Sequence, residues 1–134
     1  MSLFVVPVSH ASHVWDQGAS CLAESCVTDD ETADQLKMIL SRGDRYLVQV
    51  KRCDGGTVGW GAFRIDQLPN VRVLHITNLV AHNGGFDQFF EEIKALASAH
   101  GCSRIRCSCS AAHARLYKMK CGLLPVFSTI EIKI

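Results

Sequence analysis

Charge of one sign is in short supply. Fourteen basic and thirteen acidic residues leave a formal net charge of +1 over 134 residues, so no global field draws the chain to nucleic acid or to anionic lipid. Long hydrophobic runs are missing as well. No stretch reaches the roughly 20 apolar residues of a membrane-spanning helix. The opening MSLFVVPVSH lacks a basic segment, and its apolar part is too short for a secretory leader. No repeat, low-complexity tract or linker interrupts the sequence, which predicts one domain over residues 1–134. The seven cysteines are odd in number and include no C-x-x-C pair. That pattern argues against a disulfide framework and for a reducing compartment, where a buried free cysteine packs as a small hydrophobe.

What is present is an ordinary globular balance, 48% hydrophobic and 20% charged. Charge is nevertheless uneven along the chain. Asp16, Glu24, Asp29, Asp30, Glu31 and Asp34 precede the first basic residue, Lys37. Past Gly101 the balance reverses, with Arg104, Arg106, Arg115, Lys118, Lys120 and Lys133 against Glu131 alone. This asymmetry suits internal pairing or a local anion site in the C-terminal half.

Periodicity gives the element order. LFVVPV is a first strand with Pro7 near its end. SHASHVWDQGASCLAESC has helical spacing, with Val14, Trp15, Cys21 and Leu22 on one face and Gly18 weakening its centre. Thr28 and Glu31 form a T-x-x-E capping box for a helix over Asp30–Arg42. Leu36, Ile39 and Leu40 line its apolar side, and Gly43 is its stop. At Arg45 the period changes to two: RYLVQVKR, VGWGAFRID and VRVLHITNLVA, separated by CDGGT and LPN, predict an antiparallel meander over residues 45–81. Trp60 and Phe63 then fall on opposite faces. Phe86, Phe89, Phe90, Ile93 and Ala97 mark an amphipathic helix closed by His100 and Gly101. SRIRCSC is a strand, AAHARLYKMK a short helix, and LPVFSTIEIKI a last strand with Val126, Ile130, Ile132 and Ile134 on one face. Together these predict an α/β (α+β) fold, a mixed central sheet of about six strands flanked by about four helices.

Cys107 and Cys109 share a strand face, and His113 follows four residues later. Zinc would need two more ligands at suitable spacing. A nucleophilic thiol would need a base in an electropositive setting, which Arg104, Arg106 and His113 supply only in part. A core face is the simpler account, so no metal is expected. RCSCSAAHAR also lacks the exposed aromatics and charge of a nucleic-acid patch.

Specific motifs narrow the fold further. ARLYKMKCGLLPV resembles the A-x-x-L/F-Y-x-x-x-G-F segment of the Gcn5-related N-acetyltransferase (GNAT) superfamily, with Ala114, Leu116, Tyr117 and Gly122 in matching places and Leu123 where Phe is usual. LASAHGCSRIRCSCS resembles that superfamily's helix end and following strand, and the element order matches along nearly the whole chain. ASHVWDQ, AHNGGFD and ASAHGCSRI resemble a narrower group, the compact GNAT-like proteins of tailed bacteriophages. The resemblance implies the GNAT, or acyl-CoA N-acyltransferase-like, fold. It implies acetyl-CoA as cofactor and an amine of a protein or small molecule as acceptor.

It also implies site residues. Tyr117 matches the acid that serves the leaving thiolate, with a purely packing role as the alternative. Backbone amides of a splayed fourth strand, at Leu79 and Val80, would meet the thioester and pantetheine. His82, Asn83, Gly84, Gly85 and Phe86 would form the diphosphate loop. Where many members carry a Glu in that strand, this chain has His75 and Asn78. His75 is a candidate base or a packed strand residue. Asp66 is a second candidate base or a turn residue.

The loop departs from the R/Q-x-x-G-x-G/A pattern. Gly85 on the invariant glycine puts His82 at the R/Q place and Asp87 at the final small place; Gly84 there gives Ala81 and Phe86. Asp87 would stabilise the helix start by roughly 0.3–1 kcal/mol and compete for the same amides. Glu91 and Glu92 add to that field, and no Lys or Arg lies between Arg72 and Lys94. Two functions follow. One is an acetyl-CoA-dependent N-acetyltransferase. The other is a non-catalytic phage protein that keeps the fold as a virion, ejection or host-interaction component. The expected location is the host cytoplasm or the virion, with no membrane or nucleic-acid partner.

Overall fold

Alternation over residues 46–81 builds the centre of one sheet. The computed structural model describes residues 2–26, 30–81 and 86–134. Its strands are β1 (Ser2–Val6), β2 (Tyr46–Lys51), β3 (Thr57–Gln67), β4 (Arg72–Ala81) and β5 (Arg104–Cys107). They lie side by side in chain order. The first three pairings are antiparallel, and β4 pairs with β5 in parallel. The helices are α1 (Ala11–Gln17), α2 (Ala33–Ser41), α3 (Phe90–Ala99) and α4 (Ala111–Cys121), with short 3₁₀ turns at Val8–His10, Ala19–Ser25 and Phe86–Phe89. A parallel pair needs a crossover, and α3 supplies it between β4 and β5.

The pleat sends alternate residues to two cores. On one face, Val48, Val50, Phe63, Leu74 and Ile76 meet Phe89, Ile93 and Ala97. On the other, Leu47, Trp60 and Ala62 meet Trp15, Leu22, Leu36 and Leu40 from the α1–α2 layer. Trp60 and Phe63 do fall on opposite faces, as their odd separation requires. The expected mixed sheet with helices on its faces is therefore the observed architecture.

Three local expectations change. The first helix ends at Gln17 and continues past Gly18 as a 3₁₀ turn. A Cβ at Gly18 would sit 3.3 Å from the Trp60 ring, so glycine lets this layer close on the sheet. The capping box forms one turn later than expected. Thr32 Oγ1 accepts from the Gln35 amide at 3.3 Å, and Gln35 Oε1 accepts from the Thr32 amide at 2.8 Å. Two consecutive boxes were available; the later one leaves Glu31 to accept from Arg45 Nη1 at 2.8 Å. Thr28 lies outside the described residues. Finally, LPVFSTIEIKI is not a strand: residues 122–134 have no regular structure, and Ile130 and Ile132 are 92% and 87% exposed. An alternating pattern becomes a strand only with a neighbour to pair with, and among the described residues no strand pairs with this segment. The described sheet therefore has five strands.

Gly59 shows how closely β3 and β4 approach. A Cβ there would lie 2.6 Å from the Val80 carbonyl oxygen. Gly59→Ala is expected to destabilise the fold by about 1–3 kcal/mol through overpacking against backbone. Urea unfolding measures this as a lower midpoint at unchanged slope. An unchanged midpoint would mean that this end of the sheet is looser than described.

Candidate active site at the β4–β5 fork

The site begins where two paired strands part. β4 and β5 are in register from Val73–Arg104 to Ile76–Cys107. The Ser108 amide donating to the Ile76 carbonyl at 3.2 Å closes that ladder. β4 runs on to Ala81, held on its other side by β3 as far as Gly59. β5 leaves because Ser110 caps α4, its Oγ accepting from the His113 amide at 3.3 Å. Among the described residues, no strand covers the β5 side of Thr77–Ala81.

A bulge sits at the fork. Ala62 faces Asn78 while Phe63 faces Ile76, so Thr77 is an extra residue in β4. Side chains stabilise the interruption. The Thr77 hydroxyl lies 2.9 Å from Asn78 Oδ1 and 3.2 Å from the Ala62 carbonyl, and its one proton serves one acceptor at a time. Asn78 is 4% exposed. Its Nδ2 donates to Ser25 Oγ at 2.9 Å, and Arg45 Nη1 reaches its Oδ1 at 3.5 Å. Asn78 is thus a satisfied internal residue that ties the bulge to the α1–α2 layer.

Tyr117 packs against the α3-side core next to Cys107, Cys109 and Cys121. Burial, and then the neighbouring thiols, push its phenol up to about 12. It stays protonated throughout the neutral range. Cys107 is likewise pushed up to about 12, chiefly by burial, so it is neither a nucleophile nor a ready metal ligand. Among the described residues, no group of three or more His, Cys, Asp and Glu side chains gathers as a metal site.

His75 lies between Leu74 and Ile76 and therefore points to the opposite face. Its Nε2 is 2.7 Å from Ser108 Oγ, and its Nδ1 is 3.6 Å from Asp66 Oδ2. This has the order of a serine–histidine–aspartate relay, but the charges oppose one. Arg64 Nε donates to both Asp66 oxygens at 2.9 and 3.2 Å, and Arg64 Nη2 stands 3.4 Å from His75 Nδ1. Burial, followed by Arg64 and Arg106, lowers the imidazole below its ordinary value against the opposing pull of Asp66. A positive imidazole is disfavoured here, so the cluster holds a neutral histidine.

The start of α3 also differs from its sequence picture. Asp87 sits in the 3₁₀ turn before α3, where Lys120 of α4 approaches to 3.8 Å. Lys94 pairs with Glu91 at 3.2 Å. Two cations, one of them 33 positions downstream of Asp87, offset carboxylates that looked uncompensated.

No protein-family model matches the chain, and no curated protein matches its sequence. Solved structures do match. The ribosomal-protein-alanine N-acetyltransferase of Brucella melitensis biovar Abortus 2308 is 16% identical with a TM-score of 0.69, all of both chains being covered. Glucosamine-6-phosphate N-acetyltransferase from Arabidopsis thaliana is 18% identical with a TM-score of 0.63, over 98% of this chain and 97% of that one. A possible acetyltransferase from Clostridium difficile 630 is 11% identical with a TM-score of 0.69, over 99% and 97%. The fold is that of the GNAT acetyltransferases. At these identities the likeness concerns fold alone.

Within this GNAT fold, Leu79 and Val80 lie on the open stretch of β4, Leu79 toward the α3-side core and Val80 toward the α1–α2 side. His82, Asn83, Gly84 and Gly85 lie outside the described residues. Phe86 opens the 3₁₀ turn, and its side chain is also outside the described set. Tyr117 and His75 are not brought together, since they pack on opposite faces of the sheet. Asp66 is a strand residue paired with Arg64. Sequence reasoning missed Ser108 and Lys120, whose partners lie 33 residues away in the chain, and Arg64, which pairs with Asp66 two residues on and reaches His75 eleven residues on.

His75 yields a pH prediction. Its folded value is depressed, so the stability it contributes is complete above the unfolded value of 6.5 and is lost as pH falls toward the folded one. The imidazole should titrate by NMR below 6.5, and His75→Gln should flatten the loss of stability on mild acidification. Titration at or above the ordinary value would contradict this placement.

Proposed function

We propose that the chain is an acetyl-CoA-dependent N-acetyltransferase working at the β4–β5 fork. The observation that carries this is the edge of Thr77–Ala81 that no strand covers among the described residues, with Tyr117, protonated throughout the neutral range, beside Cys107, the residue at which the ladder stops. When bound, acetyl-CoA supplies an activated acyl group with a thiol as leaving group. The open edge offers backbone amides around Leu79 and Val80 to an extended pantetheine and to the carbonyl oxygen.

Tyr117 serves the departing sulfur. A thiol in water titrates well below this phenol, so complete proton transfer from Tyr117 to a solvated thiolate is uphill. Tyr117 therefore acts mainly by donating a hydrogen bond to developing negative charge, while the proton is made up from solvent. His75, neutral on the other face, is available as a proton acceptor only for an amine approaching from that side. Acetyl transfer to a protein or small-molecule amine is the corresponding substrate class.

The alternative is a phage virion, ejection or host-interaction protein that keeps the fold without the chemistry. It draws support from the departures in the glycine loop, from the Glu missing in the fourth strand and from the carboxylates at the start of α3. The Lys120–Asp87 and Lys94–Glu91 pairs weaken the last of these.

Coenzyme A at 100 times its dissociation constant should stabilise the protein by about 2.7 kcal/mol. No rise in melting temperature at millimolar coenzyme A would favour the non-catalytic reading. In an active enzyme, Tyr117→Phe should lower turnover by roughly 10- to 100-fold, the value of one hydrogen bond to developing charge. Coenzyme A affinity should be nearly unchanged. Equal turnover in the variant would remove Tyr117 from the mechanism.

A further inference from the structure

Part of the basic surplus past Gly101 gathers on one face of the sheet, beside the fork. Cross-strand register sets Arg64 opposite His75, and His75 opposite Arg106, so three adjacent strands carry one row of side chains. Ile65, Leu74, Ile105 and Cys107 belong to the α3-side core. The row, with Asp66, Arg104 and Ser108, therefore lies on the opposite face. Three guanidinium groups share that face with one carboxylate. Arg64 holds both oxygens of the carboxylate through its Nε. Arg106 has no such partner. Its Nε is buried and lacks a hydrogen bond among the described residues, and no described carboxylate pairs with it or with Arg104. A buried donor left without an acceptor is costly.

His75 orients one more donor. Arg64 Nη2 stands 3.4 Å from its Nδ1 and can only donate, so Nδ1 accepts and the imidazole proton resides on Nε2. Asp66 Oδ2, 3.6 Å from Nδ1, is too far to compete for a proton there. Nε2 then donates to Ser108 Oγ at 2.7 Å. The serine's own proton is left for an acceptor outside the cluster. Ser108 is exposed, and Arg64 and Arg106 are only partly covered, so an anion from solvent can reach all three.

We infer that Arg106, the Ser108 hydroxyl and the outer edge of Arg64 form an oxyanion site for the carboxylate or phosphate of a small-molecule amine, the acceptor of the acetyl group. The start of α3 packs on the other face of the sheet, so this site is separate from the diphosphate end of the cofactor. The amides at Leu79 lie four positions along β4 from His75, roughly 13 Å. One small molecule spans that distance with its amine at the fork and its acid on the arginines. With the acid seated there, the amine lies beyond reach of His75, whose part is then to orient Ser108. The acceptor role rests on the acetyl-transfer reading; the oxyanion site rests on the row of side chains alone.

Two measurements on the full-length protein test the site and the acceptor separately. Inorganic phosphate and acetate, titrated without coenzyme A at constant ionic strength, should shift the His75 imidazole and Arg106 amide NMR signals saturably. The tighter of the two identifies the acid group. Arg106→Gln and Ser108→Ala should each weaken that binding by roughly 10-fold, the value of one hydrogen bond to a charged group. Ser108 is exposed, so its variant keeps the fold. Arg52→Gln, on the β2–β3 turn, should leave binding unchanged. No saturable shift at millimolar anion, or equal affinity in the Arg106 and Ser108 variants, would overturn the site. With acetyl-CoA present, aminohexanoate or aminohexyl phosphate should exceed hexylamine in kcat/KM by roughly 10- to 100-fold. Arg106→Gln should collapse that ratio toward one. Equal values for the three amines would overturn the acceptor assignment. If none is acetylated although phosphate or acetate binds, the acetyl-transfer reading fails and the oxyanion site stands.

Discussion

The early parting of β5 from β4 is the constraint on which the rest of the structure depends. A backbone cannot stay in a parallel ladder once the next residues are needed to cap a helix. Ser110 is that residue, three positions after the end of β5. β4 does not follow, because β3 holds it along its whole length through Gly59 and Gly61, where the absence of a side chain lets the strands approach closely. One strand is released while its neighbour is retained, and the result is an uncovered edge of hydrogen-bonding groups. In water such an edge is hydrated at little cost. To an extended ligand with amide groups of its own it is a ready-made strand partner.

The fork has to be kept in shape, and the polar cluster behind it does so. Thr77 is the surplus residue of a bulge, and a bulge leaves local backbone groups unpaired. Its hydroxyl and the buried Asn78 amide compensate, and Ser25 and Arg45 extend the cluster into the α1–α2 layer. Arg45 also holds Glu31, just before α2, with both side chains mostly covered. The entry to α2 and the bend in β4 are therefore coupled. A change at Glu31 or Arg45 would leave a partly buried charge uncompensated and would be felt at the fork.

Much of this architecture was legible because it is local. Alternation over residues 46–81 gave three strands and their faces. The steps between Phe89, Ile93 and Ala97 gave α3. The ARLYKMKCGLLPV segment pointed to the GNAT fold, which neighbours of low identity share. What could not be read was set by distance in the chain. His75 meets Ser108 across 33 residues, and Asp87 meets Lys120 across a similar span. Neither spacing has a periodic signature. The capping box was legible in kind but not in place, because Thr28–Glu31 and Thr32–Gln35 satisfy the same pattern, and in the structure Thr32 caps α2 while Glu31 meets Arg45. The final alternating segment reads as a strand in the sequence but is not one, because alternation becomes a strand only with a neighbour, and that neighbour is not decided by the segment's own residues.

Amide hydrogen exchange over Thr77–Ala81, with and without acetyl-CoA, tests the central claim most directly. The account predicts that amides on the uncovered side of β4 exchange readily in the free protein and become protected when acetyl-CoA is added, while those facing β3 are slow in both states. Identical exchange with and without acetyl-CoA at saturating concentration, or full protection of the whole segment in the free protein, would contradict it.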